Sequence, residues 1–342
     1  HLMASPQAAA VVLNSGNANA ATGAPGLAVS QRACELVAKS LGCAVDDVLV
    51  CSTGLIGIPL DVTPFETAVP DLVAALDGSP AAAGRAATAI MTTDTVSKEA
   101  IAVGSFSDGT SFTVGGMAKG AAMLSPAMAT MLAVLTTDAA AEPRSLQEAL
   151  GRAVEATFNR MTTDGARSTN DTVILLASGA AGNDPIGFGG PDIHLLTEAV
   201  TEVCASLADQ MATDAEGATK FIRIHVRGAR SREEAARAAR AVAESQLVKC
   251  SLFGGDPYWG RILSELGASG SHLEPHRVDI AYGGVTVCAG GEAAGHDGEA
   301  LAKVMAGRDI DITCDLRLGL GEATVTTVDL TPAYIDENMR TS

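Results

Sequence analysis

Thr130 is the residue whose type and surroundings point most directly to chemistry. It ends the run Gly115-Gly116-Met117-Ala118-Lys119-Gly120-Ala121-Ala122-Met123-Leu124-Ser125-Pro126-Ala127-Met128-Ala129 and precedes the apolar Met131-Leu132-Ala133-Val134-Leu135. A threonine hydroxyl is a weak nucleophile at neutral pH. Breaking the Ala129–Thr130 bond would leave, on the same residue, an α-amine whose ordinary pKa near ~8 lets it take the hydroxyl proton. The hydroxyl can itself attack the carbonyl of Ala129 through a five-membered ring, and water can open the resulting ester. Ala129 is small enough to leave that carbonyl approachable, and Pro126 suits a strained turn beside it. The same stretch also reads as a Gly-rich turn leading into an ordinary buried strand.

The elements that must position this segment follow from the apolar periodicity. Residues 8 to 13 read as a strand entering an Asn/Gly turn at 14 to 23, then a helix carrying Leu27, Cys34, Leu36, Val37 and Leu41. A second strand, Val48-Leu49-Val50-Cys51, ends at Ser52-Thr53-Gly54, where α/β proteins commonly place ligands. Helices are expected at 66 to 76 and 80 to 91, and strands near 99 to 106 and 111 to 114, with Lys119 on a Gly-flanked loop. Beyond residue 130 the pattern gives a strand to Thr136, a helix at 144 to 160, a strand at 172 to 177, and long helices at 192 to 213 and 232 to 246 flanking a strand at 221 to 226. Short strands near 277 to 282, 284 to 288, 309 to 316 and 323 to 330 cluster in the last third. Alternation favours an α/β class, and that cluster favours a mixed rather than a purely parallel sheet.

Bulk properties narrow the function. The chain of 342 residues is 47% hydrophobic but only 3% aromatic, so its core must be built from small side chains. A net charge of -17 repels nucleic-acid phosphates and anionic membranes, and an acidic field suits a cationic amino acid. Seven cysteines, odd in number and without a Cys-x-x-Cys pair, fit reduced thiols in a cytoplasmic protein. The histidines show no metal-binding spacing, so no metal is expected. No eighteen-residue apolar run and no signal peptide appear. His1 is not a natural initiator; residues 1 to 13 are expected to continue a segment lying upstream, or His1 to Ser5 to be a cloning remnant.

The segment around Thr130 resembles the self-processing site of the ornithine acetyltransferases, the bifunctional glutamate N-acetyltransferases of arginine biosynthesis. The resemblance recurs in the family's order at Asn14-Ser15-Gly16-Asn17-Ala18-Asn19-Ala20, Cys51-Ser52-Thr53-Gly54-Leu55-Ile56-Gly57, Met91-Thr92-Thr93-Asp94-Thr95, Ser168-Thr169-Asn170-Asp171-Thr172, Asp256-Pro257-Tyr258-Trp259-Gly260-Arg261 and Asp329-Leu330-Thr331. It implies a layered mixed-sheet α/β fold cut at Ala129-Thr130 into an α chain (1–129) and a β chain (130–342), assembled as an α2β2 heterotetramer. It assigns Thr130 as nucleophile, and Thr53 and Gly54 as donors to the oxyanion that forms when a carbonyl is attacked. It assigns Thr93, Lys119, Thr130, Glu216, Asn338 and Ser342 to substrate binding, with Thr95 competing for the place of Thr93 and the carboxylate of Glu216 suited to an ammonium group. Three departures stand out: Tyr258 in place of a usual Asn, Cys250-Ser251 in place of Thr-Ala, and a tail one residue short between Asn338 and Ser342.

The implied reaction moves an acetyl group from N-acetylornithine to glutamate through a threonine acyl-enzyme without an external cofactor, with acetyl-CoA a donor for some members of the family. Two alternatives remain open on the residues: an N-terminal-nucleophile amidase or aminopeptidase, in which water replaces glutamate, and a non-catalytic amino-acid-binding relative.

Overall fold

The computed structural model describes residues 5–125 and 131–339. Its first layer is a parallel pair, β1 (Ala10–Asn14) and β2 (Val48–Ser52), joined through α1 (Gly23–Leu41), the right length of crossover for strands that run the same way. α2 (Thr63–Ala74) begins with Pro64 in its first turn and lies on α1, and Cys34, Val37, Val48, Phe65 and Val69 close a small core between them. α3 (Pro80–Ala89) starts where the Ser79 hydroxyl accepts the Ala82 N–H.

The second layer is a four-stranded sheet in the order β3 (Lys98–Ser105), β4 (Ser111–Lys119), β5 (Leu132–Thr137), β6 (Thr172–Ala177). Neighbours are antiparallel except β5 and β6, which run parallel and are connected through α4 (Pro143–Ala156). α5 (Ile193–Thr213) packs on this sheet and on α4, burying Leu196, Val200, Val203 and Leu207 against Val114 and Leu135.

The third layer is a six-stranded sheet built from β7 (Phe221–Ala229), β8 (Asp279–Tyr282), β9 (Val285–Ala289), β10 (Glu292–Ala293), β11 (Asp309–Asp315) and β12 (Gly321–Val328), in the order β10-β9-β8-β11-β7-β12. Only β11 and β7 pair in parallel within it. α6 (Arg232–Glu244) lies on β7 and β12 with Ala235, Ala238, Ala239 and Ala243 buried beneath it, so the helix approaches the sheet closely without aromatic side chains. α7 (Gln246–Phe253), α8 (Trp259–Ala268), α9 (Gly298–Ala306) and α10 (Pro332–Asn338) complete the described chain.

Both larger sheets are mixed, as the cluster of short strands in the last third predicts. The strand at 172 to 177 falls where expected, and the other expected strands lie within a few residues of their observed bounds. Two differences have physical causes. The Gly-flanked loop expected around Lys119 is instead the end of β4: Gly115 and Gly116 pair with Ile101 and Ala100 on one side and with Thr136 and Leu135 on the other. A Cβ on Gly116 would stand 3.1 Å from the side chains of Leu135 and Val203, so a small residue is needed where α5 crosses the strand. The helix expected at 144 to 160 stops at Ala156, because Thr157 leaves helical geometry (φ −124°, ψ −86°) before a short 3-10 turn over Phe158–Arg160.

Candidate active site

Strand register brings the predicted residues together. At the ends of β4, β5 and β6, Lys119 is paired with Leu132, and Leu132 with Thr172. The loop entering β6 reaches in two directions from adjacent residues. Asp171 accepts the Met131 N–H on Oδ1 at 2.7 Å, one residue beyond Thr130, while the Asn170 amide donates to the carbonyl of Ser52, one residue before Thr53. Ala129 and Thr130 lie outside the described residues, yet the chain on the far side of Thr130 and the chain leading into Thr53 are held by neighbours in one loop.

Thr53 is 1% exposed, and among the described residues its Oγ1 has no hydrogen-bond partner. Among the described residues the Gly54 N–H likewise donates to no acceptor. The turn that carries them is locked against the Asn14–Asn19 turn by Thr53 N–H to Asn14 O (3.0 Å), Leu55 N–H to Gly16 O (3.3 Å) and Ala18 N–H to Leu55 O (2.9 Å). Gly54 has φ +128°, and a Cβ there would lie 2.2 Å from the carbonyl carbon of Gly16, so only glycine fits. A buried hydroxyl and a backbone N–H, both unpaired and both fixed, are what a developing oxyanion requires. A cavity of about 210 Å3 lies beside the preceding residue, lined in part by Asn14, Asn19, Ser52, Asn170 and Asp171 but not by Thr53 or Gly54.

The charges behind the site are buried and paired. Lys119, 2% exposed, donates to Thr92 Oγ1 at 2.7 Å and lies 3.6 Å from Asp94. Asp94 also accepts from Lys98 Nζ and from the Gly120 N–H, both at 2.7 Å, and Lys98 reaches Asp214 at 2.6 Å. Burial alone would raise the Asp94 carboxyl, but Lys119, Lys98 and the Gly120 N–H outweigh it and hold it below its ordinary value. Burial lowers Lys119 despite Asp94. Asp171 goes the other way: burial pushes its carboxyl up to about 7 against the Met131 N–H, Ser168 and Lys119.

Glu216 sits on the turn after α5, its N–H bonded to Ala121 O at 2.9 Å, two residues past Lys119. Its carboxylate accepts the Asn338 amide at 2.7 Å, and Asn338 also donates to Tyr334 O. α10 docks on this turn: Thr331 Oγ1 donates to Gly217 O at 2.6 Å, and Tyr334 OH donates to Asp164, which takes the Met123 N–H on the same oxygen.

Thr53, Gly54, Lys119, Glu216 and Asn338 therefore belong to segments tied to the approach to, and the exit from, Thr130. Thr93 is exposed, and its neighbour Thr92 is the one bonded to Lys119; Thr95 is taken up by Asp214. Ser342 lies outside the described residues. Sequence reasoning gave no role to Asp171, although it stood within the quoted Ser168–Thr172 motif, and none to Asp94, which is the centre of a buried ion cluster. Lys249, on α7, was given no role from the sequence. It is 3% exposed, bonded to Thr163 O, and brought down to about 8 by burial against the pull of Asp164 and Asp329. Among the described residues no group of His, Cys, Asp and Glu could hold a metal ion, no helix is long and apolar enough to cross a membrane, and the cysteines are free.

Comparison with known proteins agrees with the geometry. A family model described as the ArgJ family matches residues 1–341. The arginine biosynthesis bifunctional protein ArgJ of Thermobifida fusca is 46% identical across 98% of this chain and 84% of its own length. That of Geobacter sulfurreducens is 46% identical across 96% and 83%. Among solved structures, the arginine biosynthesis bifunctional protein argJ of Bacillus halodurans is similar with a TM-score of 0.57 at 36% identity, covering 60% of this chain and 96% of that one.

Proposed function

The chain belongs to the ArgJ family and is an acyltransferase, and we propose that it carries an acetyl group from N-acetylornithine to glutamate by way of the Thr130 hydroxyl. Cleavage at Ala129–Thr130 comes first. The hydroxyl attacks the Ala129 carbonyl, the oxyanion forms against Thr53 Oγ1 and the Gly54 N–H, the amide becomes an ester, and water opens the ester to free the α-amine of Thr130. That amine then takes the hydroxyl proton as Thr130 attacks the acetyl carbonyl of N-acetylornithine, and returns it to the departing amine of ornithine. Glutamate enters, its amine attacks the acetyl-threonine ester through the same oxyanion site, and N-acetylglutamate leaves. One donor pair serves each attack, because each passes through the same tetrahedral geometry.

The observation that supports this most is the loop at Asn170 and Asp171, whose adjacent side chains bond to Ser52 O and Met131 N and so join the oxyanion donors to the chain at the nucleophile. Further support comes from Glu216 and Asn338, a carboxylate and an amide suited to the ammonium and carboxylate of an amino acid. Lys119 supplies a buried cation close enough to feel Glu216, and acetyl-CoA is a second donor to assay. The Bacillus halodurans chain, matched over 96% of its length by 60% of this one, has about the length of residues 130–342, in keeping with an α chain and a β chain in an α2β2 assembly.

The test is Thr130→Ala. One uncut polypeptide by intact mass and loss of ornithine release are expected; normal cutting in that variant rejects Thr130 as the processing nucleophile. Ornithine release by the native enzyme should depend on glutamate. A rate independent of glutamate identifies the amidase instead.

A further inference from the structure

The ion cluster behind Lys119 holds more charge than Lys119 needs. Asp94 alone would balance it, yet a second lysine and a second carboxylate are buried there as well. Lys98, the first residue of β3, is 0% exposed, and its ammonium uses all three hydrogens: on Asp94 Oδ1 at 2.7 Å, on Asp214 Oδ2 at 2.6 Å and on the Val96 carbonyl at 3.1 Å. Asp94 takes the Thr92 N–H on Oδ2 at 3.1 Å and faces Lys119 with the same oxygen. Asp214, the residue after α5, also accepts the Thr95 N–H at 2.9 Å and the Thr95 hydroxyl. A buried ion pair is often no more stabilising than apolar residues of the same volume, so what Lys98 and Asp214 add is geometry.

These contacts close a ring. From Lys119 it passes through Asp94, Lys98 and Asp214, follows the chain to Glu216, crosses from the Glu216 N–H to Ala121 O at 2.9 Å, and returns through Gly120 to Lys119. Burial lowers the Lys119 ammonium, and Asp94 and Glu216 both act against that, so the cation and the anion on the ring feel each other. N-acetylornithine carries one free carboxylate and one free ammonium, at opposite ends of a run of three methylenes. A cation and an anion held at a set separation are suited to both ends at once.

We propose that Lys98 and Asp214 are positioning residues that fix the spacing between Lys119 and Glu216, so that the site measures the length of the donor's side chain, with the carboxylate at Lys119 and the free ammonium at Glu216. The inference rests on the reading of Lys119 and Glu216 as substrate groups. Lys98 and Asp214 act through them: the side chain of one is 0% exposed and that of the other 7%. Lys98 fixes Asp94 from β3, and Asp94 in turn fixes the flexible stem of Lys119. Asp214 ties the turn that carries Glu216, two residues on, to the same cation.

Lys98→Met combined with Asp214→Asn removes both charges at nearly constant volume and leaves Asp94 paired with Lys119, so no buried charge is stranded. The assay is N-acetylglutamate formation from glutamate with N-acetylornithine or N-acetyllysine, one methylene longer, as donor. The native enzyme should prefer N-acetylornithine by about tenfold or more in kcat/KM, the least that one methylene is worth in a fitted site. In the double variant that preference should fall at least threefold, with KM for N-acetylornithine raised and kcat within about threefold of native. A lower kcat with the preference unchanged is the mark of a merely structural pair and overturns the inference, as does a native enzyme that uses both donors equally. Should the double variant be insoluble, Asp214→Glu, which keeps the charge and lengthens one link of the ring, should also lower the preference; an unchanged value overturns the inference. Lys119→Met and Glu216→Gln test the reading beneath it. Each should raise KM for N-acetylornithine about tenfold; native KM in both rejects them as substrate groups, whatever the donor preference does.

Discussion

Replacing Thr53 by valine should move stability and activity in opposite directions. Thr53 Oγ1 is buried and unpaired in the ground state, and an orphan of that kind costs about 1–3 kcal/mol of folding free energy. Valine keeps the branched shape at a site that is 1% exposed and removes the orphan, so folding should gain about 1 kcal/mol after some loss to imperfect packing. A gain of that size raises Tm by roughly 2 °C in a chain of this length. If the hydroxyl meets the oxyanion, kcat should fall about 10²- to 10³-fold, equivalent to about 2.7–4 kcal/mol lost in the transition state. Stability is best read in the uncut Thr130→Ala background, where one polypeptide unfolds, and kcat from ornithine release by processed enzyme. Two results refute the reasoning: a kcat within about threefold of native, which removes Thr53 from the oxyanion site, or a Tm several degrees lower, which shows that the hydroxyl stabilises the ground state after all. Thr53→Ala should lose at least as much activity, without the gain in stability, because it also vacates volume.

Asp94→Asn removes the anion between two buried lysines and should cost about 3–5 kcal/mol of stability, read as a lower urea midpoint. The folded-state pKa of Asp94 is depressed, so its contribution is present above the ordinary carboxylate pKa near ~4 and is lost as pH falls through the lower folded value; the difference between native and variant should therefore shrink in acid, and a gap that persists there contradicts the ion-cluster account. Asn338→Ala frees Glu216 from its 2.7 Å partner on a partly exposed surface and should raise KM for glutamate about tenfold with kcat little changed; an equal fall in kcat would mean that Asn338 acts in the transition state.

Much of the site was legible in the sequence through the resemblance of its motifs to one family, not through its residue types, which are common ones. Thr53-Gly54 reads as a turn, and the structure adds that the glycine admits no Cβ and that the hydroxyl is unpaired. Lys119 stands at the end of β4 rather than on the loop expected for it. Gly115 and Gly116 looked like loop residues, but both pair within the sheet, and the smallness of Gly116 serves the crossing of α5 over β4. Asp171 went unread because its burial and its bond to the Met131 N–H arise only in the fold. The ion cluster was hidden for the opposite reason: Asp94 and Lys98 are close in sequence, but Asp214 and Lys119 reach them only through the fold. α7 to α10 went unread because their apolar residues span too few turns to establish a period; Ser245, Asp297 and Thr331, whose side chains cap α7, α9 and α10, were the available signals.

The four-stranded sheet places a constraint on when the backbone can be severed. A break at Ala129–Thr130 assigns β3 and β4 to one product and β5 and β6 to the other, so the six registered residue pairs between β4 and β5 join separate molecules. α5, which covers β3 and β4, travels with the second fragment. Either fragment made alone would bare an unpaired sheet edge and an apolar face, the conditions under which chains aggregate. On the proposed cleavage at Ala129–Thr130, maturation has to follow assembly, and genes encoding the two fragments separately should give precipitate rather than enzyme.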